Sequence, residues 1–302
     1  MKLIYMVLIS ALFFSSCVMR EFNPVFESSK VAVSYPSGST ISRIGDKFYL
    51  MGDDSAEILV LDKHMEETER IPVFTRGEEM RLPKESKADI ESSVVIAIKD
   101  KPAVLFLGSG SLSPHRDSSF LLNPELKEVD RIDSRAFFDE LRREVRDLNI
   151  EAAALLSEEL LLGLRANTSN PDNYIAIAGI KEGSVTFKRK ILIRTSLRNA
   201  GISGMDYHQE EDLLFFTFSS EDTSNAYDDG KIGESYLGFL PNAREALQQQ
   251  ELVVERIVQL SSLSPEFLDQ KIESVSIMNE PRKLMLVADD DEGNSKIFTV
   301  RY

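Results

Sequence analysis

Asp89-Ile90-Glu91-Ser92-Ser93-Val94-Val95-Ile96-Ala97-Ile98 is the stretch that decides the fold, because its opening phrase returns. Asn149-Ile150-Glu151-Ala152 and Lys271-Ile272-Glu273-Ser274 repeat it, and Thr40-Ile41-Ser42-Arg43 and Gly201-Ile202-Ser203-Gly204 fit it more loosely. Each phrase starts an apolar, β-branched run. A polar turn leads to a second run, such as Ala103–Leu107 or Lys283–Val287, and a polar loop leads to a third, such as Tyr174–Ile177 or Ile297–Val300. Short apolar runs bounded by turn residues read as strands. A more polar fourth run follows in four repeats: Glu69–Val73, Glu128–Ile132, Lys190–Arg194 and Leu252–Ile257. Polarity suits an outer edge strand, which must not invite pairing with another chain.

Four-stranded repeats of roughly 50 to 70 residues predict an all-β protein, a β-propeller. The last repeat ends at Tyr302 without a fourth strand, while Lys30–Tyr35 is a lone strand ahead of the first repeat. Joined, they complete one blade and close a ring of five. Six blades, one of them degenerate, is the alternative. Short helical insertions are predicted at Ser134–Leu148, with Ser134 as N-cap and Arg142, Arg143 and Arg146 on a solvated face, at Pro241–Leu252, and at Ser264–Phe267.

The 302 residues carry a net charge of −15, which speaks against general nucleic-acid binding. The one cysteine, Cys17, excludes an intramolecular disulfide. Lys2, the apolar run Leu3–Ile9 and the small residues before Cys17 have the layout of an export signal too short to span a bilayer. Phe14-Ser15-Ser16-Cys17 resembles the lipobox of bacterial lipoproteins, with Phe14 where leucine is usual. The resemblance implies cleavage before Cys17 and a diacylglycerol on its thiol, anchoring the chain to a membrane. The expected division is a signal over residues 1–16, a lipidated linker over 17–29 and one propeller over 30–302. No acidic run follows Cys17, so the expected address is the outer membrane facing the periplasm, with surface exposure as the alternative, and the expected state is a monomer.

Lys84–Ser92 with Leu107-Gly108-Ser109-Gly110-Ser111…Arg116, and Leu148–Ala153, resemble an uncharacterised family of Bacteroidetes β-propeller proteins. More distantly, the Asp/Asn-Ile-Glu phrase is similar to a strand of phytase-like and esterase-like propellers. The resemblance implies the fold and little about activity. Ala152 stands where the pattern has glycine.

In a propeller the first strands line a central channel. Glu91, Glu151 and Glu273 open first strands, so they should converge at one mouth, ringed by Asp53, Asp54, Ser109, Arg116, Arg165, Asn167, Asp289 and Asp290 from the ends of second strands. Converging carboxylates need a compensating charge. Ca²⁺ on Glu91, Glu151 and Glu273, or a polar ligand held between these glutamates and Arg116 and Arg165, would supply it. The expected function is a binding module for a small polar ligand, cation or envelope protein. The alternative is an enzyme, a metal-assisted ester hydrolase. Gly108–Ser111 lacks nucleophile-elbow spacing, Asp289–Asn294 lacks EF-hand register, and His64, His115 and His208 lack metal spacing and read as loop residues, with His115 nearest the mouth.

Overall fold

The computed structural model describes residues 22–32, 34–75, 81–167, 170–222, 231–289 and 293–302. The signal segment, Cys17 and Asp290 lie outside the described residues. No helix among the described residues is long and apolar enough to cross a membrane.

The strands form five antiparallel meanders. Strand β1 (Val25–Ala32) comes first in the chain and last in the ring. The first blade is β2 (Gly38–Ile44), β3 (Lys47–Gly52), β4 (Glu57–Asp62) and β5 (Glu67–Pro72). The second is β6 (Ile90–Ile98), β7 (Lys101–Gly108), β8 (Ser119–Asn123) and β9 (Glu128–Ile132). The third is β10 (Ile150–Leu156), β11 (Glu159–Leu164), β12 (Asn173–Lys181) and β13 (Ser184–Arg194). The fourth starts with β14 (Ala200–His208), β15 (Leu213–Asp222) and β16 (Lys231–Pro241). Strands β17 (Glu251–Val253) and β18 (Arg256–Gln259) follow it, and the fifth blade is β19 (Lys271–Ile277), β20 (Lys283–Asp289), β21 (Ser295–Arg301) and β1.

The closing strand falls earlier than the sequence suggests. Val25 pairs with Arg301 and Ala32 with Ser295, while Tyr35 lies beyond the strand. Its ring is 1% exposed, and its hydroxyl reaches the carbonyls of Leu50 and Glu57 at 2.9 and 2.8 Å. Six blades are excluded. The run Leu252–Ile257 is also corrected, because two sheets share it. β17 runs parallel to β13 on the rim of the third blade, and β18 then closes the fourth. The chain thus stitches one blade to the next.

The core is distributed over the blade interfaces. One apolar cluster lies at each, from Tyr49 and Phe106 between blades one and two to Phe48 and Phe298's neighbour Ile297 between blades one and five. The inner strands touch in the cyclic order β2, β6, β10, β14, β19 and back to β2. Five inner strands pack closely around the axis, and small residues recur in them: Ser42 and Ser93, Ala152 and Ala154, Gly204, Ser274. At Gly204 even a Cβ would come within 2.8 Å of Ser274 Cα.

Helix α1 (Arg135–Glu144) buries Phe137, Phe138 and Leu141 between blades two and three, with Val145 and Leu148 beyond it. Ser134 sits at its N-cap, but its hydroxyl accepts from Ser119 Oγ and does not cap the helix. Arg142 departs from the expected solvated face, pairing with the buried carboxylate of Asp117 and donating to Gly110 O at 2.8 Å. Arg143 and Arg146 are exposed. The Pro241–Leu252 segment yields only the short α2 (Ala243–Ala246), and Ser264 caps a 3₁₀ turn at Glu266 N.

Candidate functional site

A β-bulge interrupts every inner strand one to three residues from its start, and it skips Ser39, Glu91, Glu151, Ser203 and Glu273 in turn. This common register corrects the alignment of the first repeat, where Ser39 and not Ser42 stands in the glutamate position. Five bulged residues therefore ring one mouth of the channel, two serines and three glutamates. Glu151 and Glu273, from different blades, both lie within 3.9 Å of Arg165 Nη1, and Glu91 is within electrostatic range of both.

The residue two positions before each glutamate decides its company. Asn149 Nδ2 donates to Glu151 Oε1 at 2.6 Å, and Lys271 Nζ lies 2.8 Å from Glu273 Oε1. The equivalent residue before Glu91 is Asp89, which has nothing to donate. Arg165, 7% exposed, reaches across the mouth. Its Nη1 lies 3.2 Å from Glu151 Oε2 and 3.9 Å from Glu273 Oε2. Gly201 makes room for this arginine, since a Cβ there would lie 2.3 Å from Arg165 Cγ.

Asp89 instead organises the second blade's loop. It accepts from Arg116 Nη1 at 2.7 Å and from Ser109 and Ser111, and Lys87 Nζ lies 2.9 Å away. The Lys-x-Asp phrase and the Gly-Ser-Gly-Ser…Arg phrase are thus two halves of one buried network. Gly110, at φ +71, closes against Phe138 and Leu148. Arg116 compensates Asp89 and not the glutamates. Lys87 also contacts Asp53, and Asp54 pairs with Arg81. Asp289 lies within electrostatic range of Arg81, and Asn167 binds the Asp147 carbonyl and Asn170 away from the glutamates. His115 is exposed near α1, and His208 ends β14 at the opposite mouth, not in a loop.

Glu91 is the exception in this ring. It is partly buried, and its carboxylate has no hydrogen-bond donor among the described residues. Burial, with Glu151, Asp89, Asp53 and Glu273 around it, holds its carboxyl well above the usual range. Burial also raises Glu273, to about 8 despite Lys271 and Arg165, and Asp53, to about 6 despite Lys87. Burial alone would lower the Lys87 ammonium, but Asp53, Asp89 and Glu91 outweigh it and hold it charged. Asp53 Oδ1 and Glu273 Oε2 are buried without a hydrogen-bond donor among the described residues.

Asp53, Asp89 and Glu91 each bring an oxygen within 4.8 Å of the others. Oxygen donors suit a hard cation such as Ca²⁺. Lys87, however, already occupies Asp53 Oδ2 and Asp89 Oδ1. The set fits calcium only with Lys87 displaced. Glu151 and Glu273, the other expected ligands, are taken up by Arg165, Asn149 and Lys271. Lys87, Asp89 and Lys271 are the residues the sequence reading left without a role. The signal for them was their place in the repeated phrase itself.

The ring resembles glutaminyl cyclase of Myxococcus xanthus, with a TM-score of 0.53, 7% identity, and 92% of this chain and 95% of that chain covered. That likeness shows the fold. A protein of unknown function from Bacteroides caccae matches with a TM-score of 0.37 and 12% identity over 83% of this chain and 69% of that one. No curated protein matches in sequence. Residues 34–302 match a family of unknown function (DUF6929), nearly the whole propeller, and the chain belongs to that family.

Proposed function

We propose that this protein is a binding module of the cell envelope whose channel mouth takes a small cationic, hydrogen-bond-donating ligand, an organic amine. The observation that carries the reading is Glu91, a carboxylate set among Glu151, Asp89, Asp53 and Glu273 and without a hydrogen-bond donor among the described residues. Asp53 Oδ1 and Glu273 Oε2 add unfilled acceptors at the same opening. An ammonium group brings one positive charge and three donors, which is what this set lacks. Lys87 shows the same solution within the chain, where a tethered ammonium neutralises Asp53 and Asp89. Lipid on Cys17 would hold the module at the outer membrane, facing the periplasm.

The metal-assisted ester hydrolase has less support, because two of its three expected ligands, Glu151 and Glu273, already carry internal counter-charges. The likeness to glutaminyl cyclase brings no activity with it at 7% identity.

Calorimetric titration with ethylamine, putrescine and calcium chloride tests the reading. Putrescine or ethylamine should bind, and Glu91→Gln should weaken binding at least tenfold, the loss of one charge-assisted contact of about 1.4 kcal/mol or more. Affinity should rise with pH from 6 to 8, because binding displaces a proton from a carboxyl held high. Binding of calcium alone would favour the hydrolase reading, and amine binding indifferent to Glu91→Gln would end this one.

The anchor has a separate test. Cys17→Ala should move the protein from the membrane fraction to the soluble envelope fraction. An unchanged distribution would refute lipidation.

A further inference from the structure

The channel has a second mouth, and it is not a mere exit. Where the inner strands end, they enclose a cavity of about 540 Å³ whose wall draws on β2, β6, β10, β14 and β19, so that all five blades build it. That volume lies within the range of small-molecule sites, roughly 300 to 1,000 Å³. It shares none of the residues of the acidic mouth.

The wall offers hydrogen-bonding groups that its own chain does not use up. Ser276 lines the cavity, and its hydroxyl has no hydrogen-bond partner among the described residues, so it is free to donate to or accept from a molecule held there. Among the described residues Asp206 accepts from two backbone N–H groups, of Ile277 at 2.7 Å and of Tyr207 at 2.8 Å. A carboxylate has about four acceptor positions, so half its capacity is open. Arg43 spends Nε on Ile277 O at 2.5 Å and Nη1 on Gly45 O and Asn279, while its Nη2 has no partner among the described residues.

These groups mix donor, acceptor and hydroxyl, and their charges offset one another. Arg43, on β2, acts electrostatically on Asp206, on β14, across the end of β19. Between them stand apolar side chains: Val95, Leu155, Met205 and Met278. A fully charged ligand would gain little from an already balanced pair. A ligand with several hydroxyls and an apolar face would meet every feature of the wall.

We infer that this cavity is a binding site for a neutral, hydroxyl-rich molecule of mono- to disaccharide size. Saturation-transfer NMR on the full chain tests it, with methyl α-glucoside and maltose as probes and hexylamine and hexanoate as charged comparisons. Transfer should appear for a sugar probe and not for the charged pair. Ser276→Val removes the unmatched hydroxyl, and Val95→Phe fills the cavity from a partly buried wall position. Each should cut transfer at least fivefold while the melting temperature stays within a few degrees of wild type. No transfer from either sugar overturns the inference. So does transfer that survives both substitutions, or a preference for a charged probe.

Discussion

Deleting residues 22–32 should leave the ring unclosed and the chain without a cooperative thermal transition at 37 °C. β1 completes the fifth blade against β21, and it is also the covalent link that carries the chain from blade five into blade one. Phe22 stacks on Phe239 at 4.8 Å, and Phe26 meets Phe267 edge-on at 5.7 Å. Glu27 lies 3.0 Å from Lys283 and 2.6 Å from Arg301. The exposed ion pairs contribute little. Two partly buried aromatics at roughly half their full burial value, with a lost strand ladder, come to on the order of 5 kcal/mol. That is a large share of the roughly 5–15 kcal/mol a domain of this kind has. The deletion also opens the β21 edge, so aggregation should accompany the loss. A peptide spanning residues 22–33, added in excess, should pair with β21 and restore the transition, as strand addition does elsewhere. A deleted protein that melts like wild type would show that the closing strand is not needed.

The deletion depends on a strand the sequence places almost correctly, and the small error is instructive. Periodicity marks Lys30–Ala32 as strand, but Val25–Ser29 alternates apolar and polar residues too weakly to register, because β1 is an outer strand with solvent on one side. Tyr35 looks like strand by composition, yet it is a buried plug whose hydroxyl serves two carbonyls of the first blade. The glutamate register was legible because the same bulge recurs in every blade. It failed at Ser39 because serine leaves no charge to align on. What the sequence could not display was which donors reach which carboxylate. Arg116 and Arg165 look alike in sequence, each just after a second strand. The fold sends Arg116 to Asp89 within its own blade and Arg165 across to Glu273. That difference arises from Gly201, a vacancy in a neighbouring blade.

Replacing Arg165 with methionine should therefore destabilise the protein strongly at pH 8 and only slightly at pH 5. The substitution keeps most of the apolar stem but leaves Glu151 and Glu273 facing Glu91 without the cation between them. Breaking a buried ion pair by removing one partner costs about 3–5 kcal/mol. At about 2–4 °C per kcal/mol for a chain of this size, the melting temperature should fall by roughly 6–20 °C. The pH dependence follows from the direction of the shifts. Glu273 is raised to about 8 in the folded protein, against roughly 4.3 in an unfolded chain. A carboxyl raised on folding holds its proton in the native state, so its contribution is fully present below the unfolded value and is lost as pH climbs through the folded one. Wild type should already lose some stability between about pH 5 and 8 from Glu273, from Asp53 at about 6, and from Glu91. Arg165 lowers Glu273, so without it that carboxyl rises further and the deficit at pH 8 widens. At pH 5 Glu273 holds its proton in both proteins, so the deficit there shrinks to the contact with Glu151, packing and the 3.3 Å bond from Arg165 to Ser219 O. Adding Glu273→Gln to Arg165→Met should recover at least half of the pH 8 deficit. Gly201→Ala should reproduce the pH-dependent loss with Arg165 still present, because its Cβ would take the space of the arginine stem. Melting curves at pH 5, 6.5 and 8 read all of this. A deficit for Arg165→Met of equal size at the three pH values would mean that the arginine works by packing alone, and that the three glutamates do not share one electrostatic site.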